Sequence, residues 1–344
     1  MSPGIACAQE VKASLGSHIY IPEEQKVFGE TKKKPKRVII LAGPTAAGKT
    51  KLSLMVAKAL GGEIISADSM QVYEGMDIGT AKASLEERTA IPHHLIDVRK
   101  ITEEFNVVDF YYEARLACES IHARGRVPIV VGGAGFYLHT FLYGPPPGPP
   151  SVPEVRRVIE EDMVRFGPEA LFDKLQGLDP VYCETITKHD KHKIVRALEI
   201  ITLTGEKVSK VSWKNRVLPP DYDFHCWFVF RSRESLYRRI EKRCDVMLSE
   251  GFVKEVMELE RQGIRQNHTA AQAIGYHQCL TYLQTAQGEE DYKNFVRTFK
   301  TGSRHYAKRQ FTWFRREPLF RWLNIELHDI EIASEIVLQD YLRS

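Results

Sequence analysis

The stretch that most constrains this chain is "GPTAAGKT", residues 43–50. It matches G-x-x-x-x-G-K-[ST] in full. It stands between an apolar run, "VIILA" (38–42), and a helical pattern, "KTKLSLMVAKAL" (49–60). That strand–loop–helix context is the one a phosphate-binding loop requires. Gly43 and Gly48 let the backbone of Pro44, Thr45, Ala46 and Ala47 wrap around phosphate oxygens, at which successive N–H groups and the helix N-terminus point. Lys49 adds a positive point charge, and Thr50 a hydroxyl suited to Mg²⁺.

The surrounding chain supplies the sheet that such a loop needs. "EIISA" (63–67) and "PIVV" (128–131) read as further buried parallel strands, with the helical pattern "DFYYEARLACESIHA" between them. This alternation predicts an α/β fold: a P-loop core with a parallel sheet flanked by helices. "GPPPGPPSVP" (144–153) interrupts the pattern, because such a proline run continues neither a helix nor a central strand. Only helical patterns follow until "FHCWFVF" (224–230), which returns to the sheet. The expected organisation is a core of 37–149 and 221–344, a helical insertion at 150–220 and a disordered tail at 1–36. The "KKKPKR" that ends the tail reads as a solvated lead-in to the first strand.

The net charge is only +3, so any nucleic-acid site has to be a local patch. Six scattered cysteines without a C-x-x-C pair argue against a disulfide framework or zinc knuckle and fit a reducing, cytoplasmic setting. The apolar runs are strand-length, too short for a membrane span. The twelve histidines show no metal-ligand spacing, and His93-His94 reads as turn packing.

In parallel sheets of this kind, ligands bind beyond the carboxyl ends of the strands. Asp68, in "SADSMQVY", follows the second strand and would share the P-loop crevice. A carboxylate beside a bound anion does not serve to bind it, since like charges repel. It is better suited to accept a proton from a second substrate. "PIVV" runs into "GGAGFY" (132–137) without the acid that holds Mg²⁺ in P-loop NTPases, which speaks against a kinase. The glycines there suggest close approach of the backbone to a ligand. Lys293, Arg297, Lys300, Arg304 and Lys308 share one helical face and offer a track for RNA phosphates. Arg238, Arg239 and Arg243 also sit at helical spacing, close enough in pattern for one of them to neutralise a leaving group.

Seven segments, "GPTAAGKT", "EIISADSMQVYEGMDIGTAK", "IPHHLID", "VGGAGFYL", "DKHKIVRALEI", "AIGY" and "YAKRQFTWFR", run in this order over residues 37–323. Together they resemble the tRNA dimethylallyltransferase (isopentenyltransferase) family, in its bacterial form and chlamydial-like branch. The resemblance implies transfer of a dimethylallyl group from dimethylallyl diphosphate to N6 of an adenosine. That adenosine lies 3′ of the anticodon, in tRNAs reading codons that begin with U. Diphosphate would leave whole, with Mg²⁺ as cofactor, and the enzyme would be a monomer without a membrane partner. A relative that prenylates free AMP or ATP shares the P-loop and the base; the helical insertion and the basic track favour tRNA.

By the same resemblance Asp68 is the general base and Thr45 helps position it. Lys49, Thr50 and Arg243 hold the diphosphate with the loop. The implied tRNA contacts start with Asp68, Ser69, Met70 and Gln71, then Ala134 and Arg156. They continue through His192, Lys193, Ile194, Val195 and Arg196, and then Ala271, Gln272, Ala273, Ile274, Gly275 and Tyr276. Lys308 and Arg309 complete them. Two positions depart from the family: Ala134 replaces a usual threonine, and His192-Lys193 a usual Gln-Arg. The core and the insertion are expected to embrace the anticodon stem-loop, with the basic face of 293–308 turned toward the P-loop crevice.

Overall fold

The chain builds one six-stranded sheet whose centre is β1 (Lys36–Ala42). The structure is a computed structural model that describes residues 35–146, 148–210 and 217–343; the first 34 residues of the expected tail lie outside the described residues. Lys36 and Arg37, taken from sequence as the tail's end and the core's first residue, both belong to β1. Arg37 Nη1 donates to the carbonyl of Tyr341, 2.7 Å away.

The other strands are β2 (Glu63–Ala67), β3 (His93–His94), β4 (Pro128–Gly132), β5 (Tyr222–Phe230) and β6 (Arg321–Asn324). Their order is β3-β2-β4-β1-β5-β6, and every adjacent pair is parallel. His93 and His94 therefore form an edge strand rather than a turn, with His94 Nε2 2.7 Å from the buried Glu63 carboxylate.

The helices in the first half are α1 (Lys49–Leu60), α2 (Leu85–Ala90), α3 (Val107–Ala123), α4 (Gly135–Tyr143), α5 (Pro153–Leu178), α6 (Pro180–Cys183) and α7 (Lys191–Thr204). The second half adds α8 (Arg233–Ser249), α9 (Phe252–Arg261), α10 (His268–Ala271), α11 (Tyr276–Tyr282), α12 (Glu289–Phe314) and α13 (Ile330–Arg343).

β1 shows why the apolar run has to be central. Val38, Ile40 and Ala42 pack on one face of the sheet with α3, α4, α8 and α12; Ile39 and Leu41 pack on the other with α1 and α13. A strand buried on both faces tolerates no polar alternation. The helices of 153–204 enclose a separate apolar cluster around Leu171, Leu175, Ile194 and Leu198. α5 bends where Gly167 adopts a left-handed φ of 83° before Pro168.

The proline run enters this helical segment through a buried carboxylate, Glu199, which accepts Ser151 Oγ–H at 2.5 Å, Val152 N–H at 2.9 Å and Arg196 Nη1–H at 2.7 Å. Burial alone would raise the Glu199 pKa, but these hydrogen bonds and the Arg196 charge hold it below the ordinary value.

Candidate active site

Four segments meet where the strands end. The P-loop leaves β1, Asp68 leaves β2, Gly133 leaves β4 and Arg231 leaves β5. Between the first three of these and helices α8 and α12 lies a cavity of about 420 Å³. Thr45, Lys49, Thr50, Asp68, Ser69, Met70, Gln71, Arg243, Gln272, Ala273, Ile274, Tyr276 and Arg309, all candidates from sequence, line it.

Gly43 has φ +155°, and a Cβ there would lie 2.3 Å from the Val229 carbonyl oxygen, so only glycine fits. Gly48 is the left-handed N-cap of α1 and offers no side-chain cap, which leaves the first-turn amides open to an anion. Lys49 Nζ donates to the carbonyls of Gly43 at 2.8 Å and Pro44 at 2.9 Å, and its third proton remains for a ligand. Burial and the nearby Arg243 charge lower its pKa to about 7, partly offset by Asp68. Burial likewise lowers the Arg243 pKa. Two cations in a poorly solvated crevice repel each other, and a bound polyanion relieves both. Asp68 is fixed by its own backbone: Oδ1 accepts Met70 N–H at 2.9 Å.

Three anchors of this site, Gln310, Arg231 and Glu255, were not visible in the sequence, whereas Arg239 and Arg243 were candidates from it. Gln310 on α12 is buried. Its Oε1 accepts Thr45 N–H at 3.0 Å, and its Nε2 donates to the Gly133 carbonyl at 3.0 Å, which ties the P-loop to the β4–α4 turn. Arg239 Nε donates to Ala46 O at 2.9 Å and Arg231 Nε to Ala47 O at 3.0 Å, gripping the loop from α8 and from the end of β5. Arg243 Nη2 reaches Thr80 O at 3.4 Å. The loop carrying Thr80 hangs on Glu255, whose carboxylate accepts Asp77, Ile78 and Gly79 N–H and the Tyr276 hydroxyl. The sequence signal for Gln310 was an uncharged polar residue in register with Phe299, Ser303 and Tyr306 on an otherwise basic helix.

Other expectations change. The first two glycines of "GGAGFY" line the cavity and are also pressed against protein: a Cβ on Gly132 would lie 2.1 Å from Ala67 O, and one on Gly133 2.2 Å from Gln310 Nε2. Ala134 is the N-cap of α4 and makes no capping bond. Lys300 pairs with Asp245 at 2.6 Å, and Arg304 pairs with Glu241, both acids on α8. The face of α12 that lines the crevice is Phe299, Ser303, Tyr306, Arg309 and Gln310, so the cationic stripe lies more than a third of a turn round the helix. The acids of α8 draw it away from the crevice; Lys308 is exposed on that same stripe.

In the insertion, Ile194 and Val195 are buried in its own core and present no side chain to a nucleic acid. Arg196 and Arg156 both point at Glu199, and His192 and Lys193 are exposed. Ala271 packs against the core, and Gly275 is pressed on Phe299, 2.7 Å from where its Cβ would be.

A family model described as IPP transferase matches residues 71–317, starting just after the P-loop and Asp68. A tRNA dimethylallyltransferase of Protochlamydia amoebophila (strain UWE25) is 60% identical over 318 residues, 92% of this chain and 92% of that protein. The tRNA dimethylallyltransferase of Chlamydia pneumoniae is 47% identical over 327 residues, 93% of each. Among solved structures, the full-length tRNA isopentenylpyrophosphate transferase of Bacillus halodurans matches with TM-score 0.65 and 37% identity, over 90% of this chain and 97% of that one. A eukaryotic dimethylallyltransferase acting on tRNA matches with TM-score 0.71 and 30% identity, over 84% and 74%.

Proposed function

The chain belongs to the IPP transferase family, and we propose that it is a tRNA dimethylallyltransferase. It moves the prenyl group of dimethylallyl diphosphate to N6 of the adenosine 3′ of the anticodon in tRNAs reading codons that begin with U. The observation that carries this reading is a single cavity lined both by Asp68 and by Lys49 and Thr50 of the P-loop.

The P-loop holds a leaving group here, so no phosphoryl transfer is required of it. As the allylic C–O bond breaks, negative charge grows on diphosphate oxygens that Lys49, Arg243 and the open amides of α1 already face. The adenosine leaves its stack to enter the crevice. Among the described residues Asp68 Oδ2 takes no hydrogen bond, and it is the oxygen left to receive the amine proton. Ile240, Met247 and Phe299 give the same cavity an apolar wall for the prenyl tail.

Mg²⁺ fits this site as a partner of the donor. It keeps several waters and takes one or two protein oxygens plus substrate phosphates. The Thr50 hydroxyl at the start of α1 suits that role, and among the described residues no group of three or more His, Cys, Asp or Glu forms a cage of its own. Held there by Thr50, the ion would supply positive charge to the diphosphate.

We take 150–220 as the tRNA-contacting insertion and the cytoplasm as the place of action; no helix among the described residues is long and apolar enough to cross a membrane. The adenylate-prenylating alternative is not favoured, since the relatives are named for tRNA. Labelled dimethylallyl diphosphate offered to an anticodon stem-loop and to AMP and ATP in parallel tests this. Label in the RNA is expected; label in the nucleotide alone overturns the assignment.

A further inference from the structure

Beyond the mouth of the cavity, α12 carries a stripe that the chemistry leaves unused. Tyr306, Arg309 and Trp313 recur at steps of three and four and so share one face. Tyr306 and Arg309 line the cavity, with the Arg309 guanidinium carbon 5.6 Å from the Tyr306 ring centroid. Trp313 stands one turn farther out and is 36% exposed. Phe136, in the first turn of α4 and 37% exposed, meets it edge-to-face, with centroids 6.2 Å apart.

The pair is rigidly mounted. Gly135 lies so close beneath the indole that a Cβ would come within 2.3 Å of it. Arg309 and Arg316, four residues before and three after Trp313, share its side of the helix and are exposed, whereas Lys300 and Arg304 farther up the helix are matched by acids of α8.

We propose that Phe136 and Trp313 form a stacking platform for an unpaired RNA base next to the target adenosine. The inference rests on the tRNA reading above. Flipping the target into the crevice deprives its neighbour of a stacking partner, and an aromatic face at the rim replaces it. Stacking of this kind accepts any base, because every base has a π-face. The exposed cations suit the adjoining phosphates, and Arg309 makes the platform continuous with the cavity.

The test compares kcat/KM on an anticodon stem-loop with the value on loops made abasic on either side of the target. One abasic loop is expected to cost the wild-type enzyme about five- to a hundred-fold. Trp313→Ala should lose a similar factor on the intact loop and almost nothing more on that abasic loop, while its KM for dimethylallyl diphosphate stays near wild type. Trp313→Phe should recover most of the loss. Phe136→Leu, which leaves the Gly135–Trp313 contact in place, should lose a smaller factor on the intact loop only. Losses that multiply between variant and abasic loop, or abasic loops that cost the wild type nothing, overturn the proposal. A wild-type enzyme that fails on the intact loop sinks the tRNA reading itself, and this inference with it.

Discussion

The loop that carries Thr80 hangs on one carboxylate, and replacing it tests how the donor site is held. Glu255 Oε2 accepts Asp77 N–H at 3.0 Å and Ile78 N–H at 2.6 Å; Oε1 accepts Gly79 N–H at 3.1 Å and the Tyr276 hydroxyl at 2.7 Å. Gln in its place has one carbonyl oxygen and one NH₂. Its better orientation keeps the oxygen on Asp77 and Ile78 and lets the tyrosine turn to accept. Gly79 N–H is then left facing a donor, and every remaining bond loses its charge assistance. One orphaned donor costs about 1–3 kcal/mol and the lost charge adds a similar sum, discounted for partial exposure, so Glu255→Gln should cost about 2–4 kcal/mol.

Tyr276→Phe removes one bond and should cost about 1 kcal/mol. Chemical denaturation of both variants measures the difference. Because Thr80 O accepts Arg243 Nη2 and Gln71 Nε2, the KM for dimethylallyl diphosphate should also rise in Glu255→Gln. Equal costs for the two variants, with an unchanged donor KM, would refute the reasoning.

Gly43→Ala should abolish binding of Mg²⁺-diphosphate in calorimetry, because its Cβ would collide with Val229 O. Ala134→Ser supplies the missing cap of α4 and should stabilise by about 1 kcal/mol, read as a higher denaturation midpoint with an unchanged m-value. The Glu199 pKa is depressed in the fold, so its contribution is present above the unfolded value and is lost as pH falls through the folded one. The advantage of wild type over Glu199→Gln should therefore be constant near neutrality and vanish in acid, as followed by denaturation at a series of pH values.

The parts of the fold that were legible in the sequence are those that local pattern controls. β1, β2, β4 and β5 stand out because strands buried on both faces are unbroken apolar runs. β3, two histidines, and β6, "RWLN", are short edge strands whose pairing lies in the rest of the sheet, and no local period announces them. The P-loop and Asp68 were found because they sit at strand ends. Gln310, Arg231 and Glu255 act on backbone 265, 184 and 177 residues away, a separation that no spacing rule spans. The cationic stripe of α12 was read with the right helical period. Its direction depended on Glu241 and Asp245 of a different helix.

The central claim is that Asp68 takes the proton from the nucleophilic amine while the P-loop holds the leaving group. Single-turnover transfer from labelled dimethylallyl diphosphate to an anticodon stem-loop, with RNA binding measured alongside for wild type and Asp68→Asn, tests it most directly. The account predicts that the variant still binds RNA and donor but transfers at least about 100-fold more slowly, the scale of a lost general base. A variant that prenylates the RNA at close to the wild-type rate would contradict it.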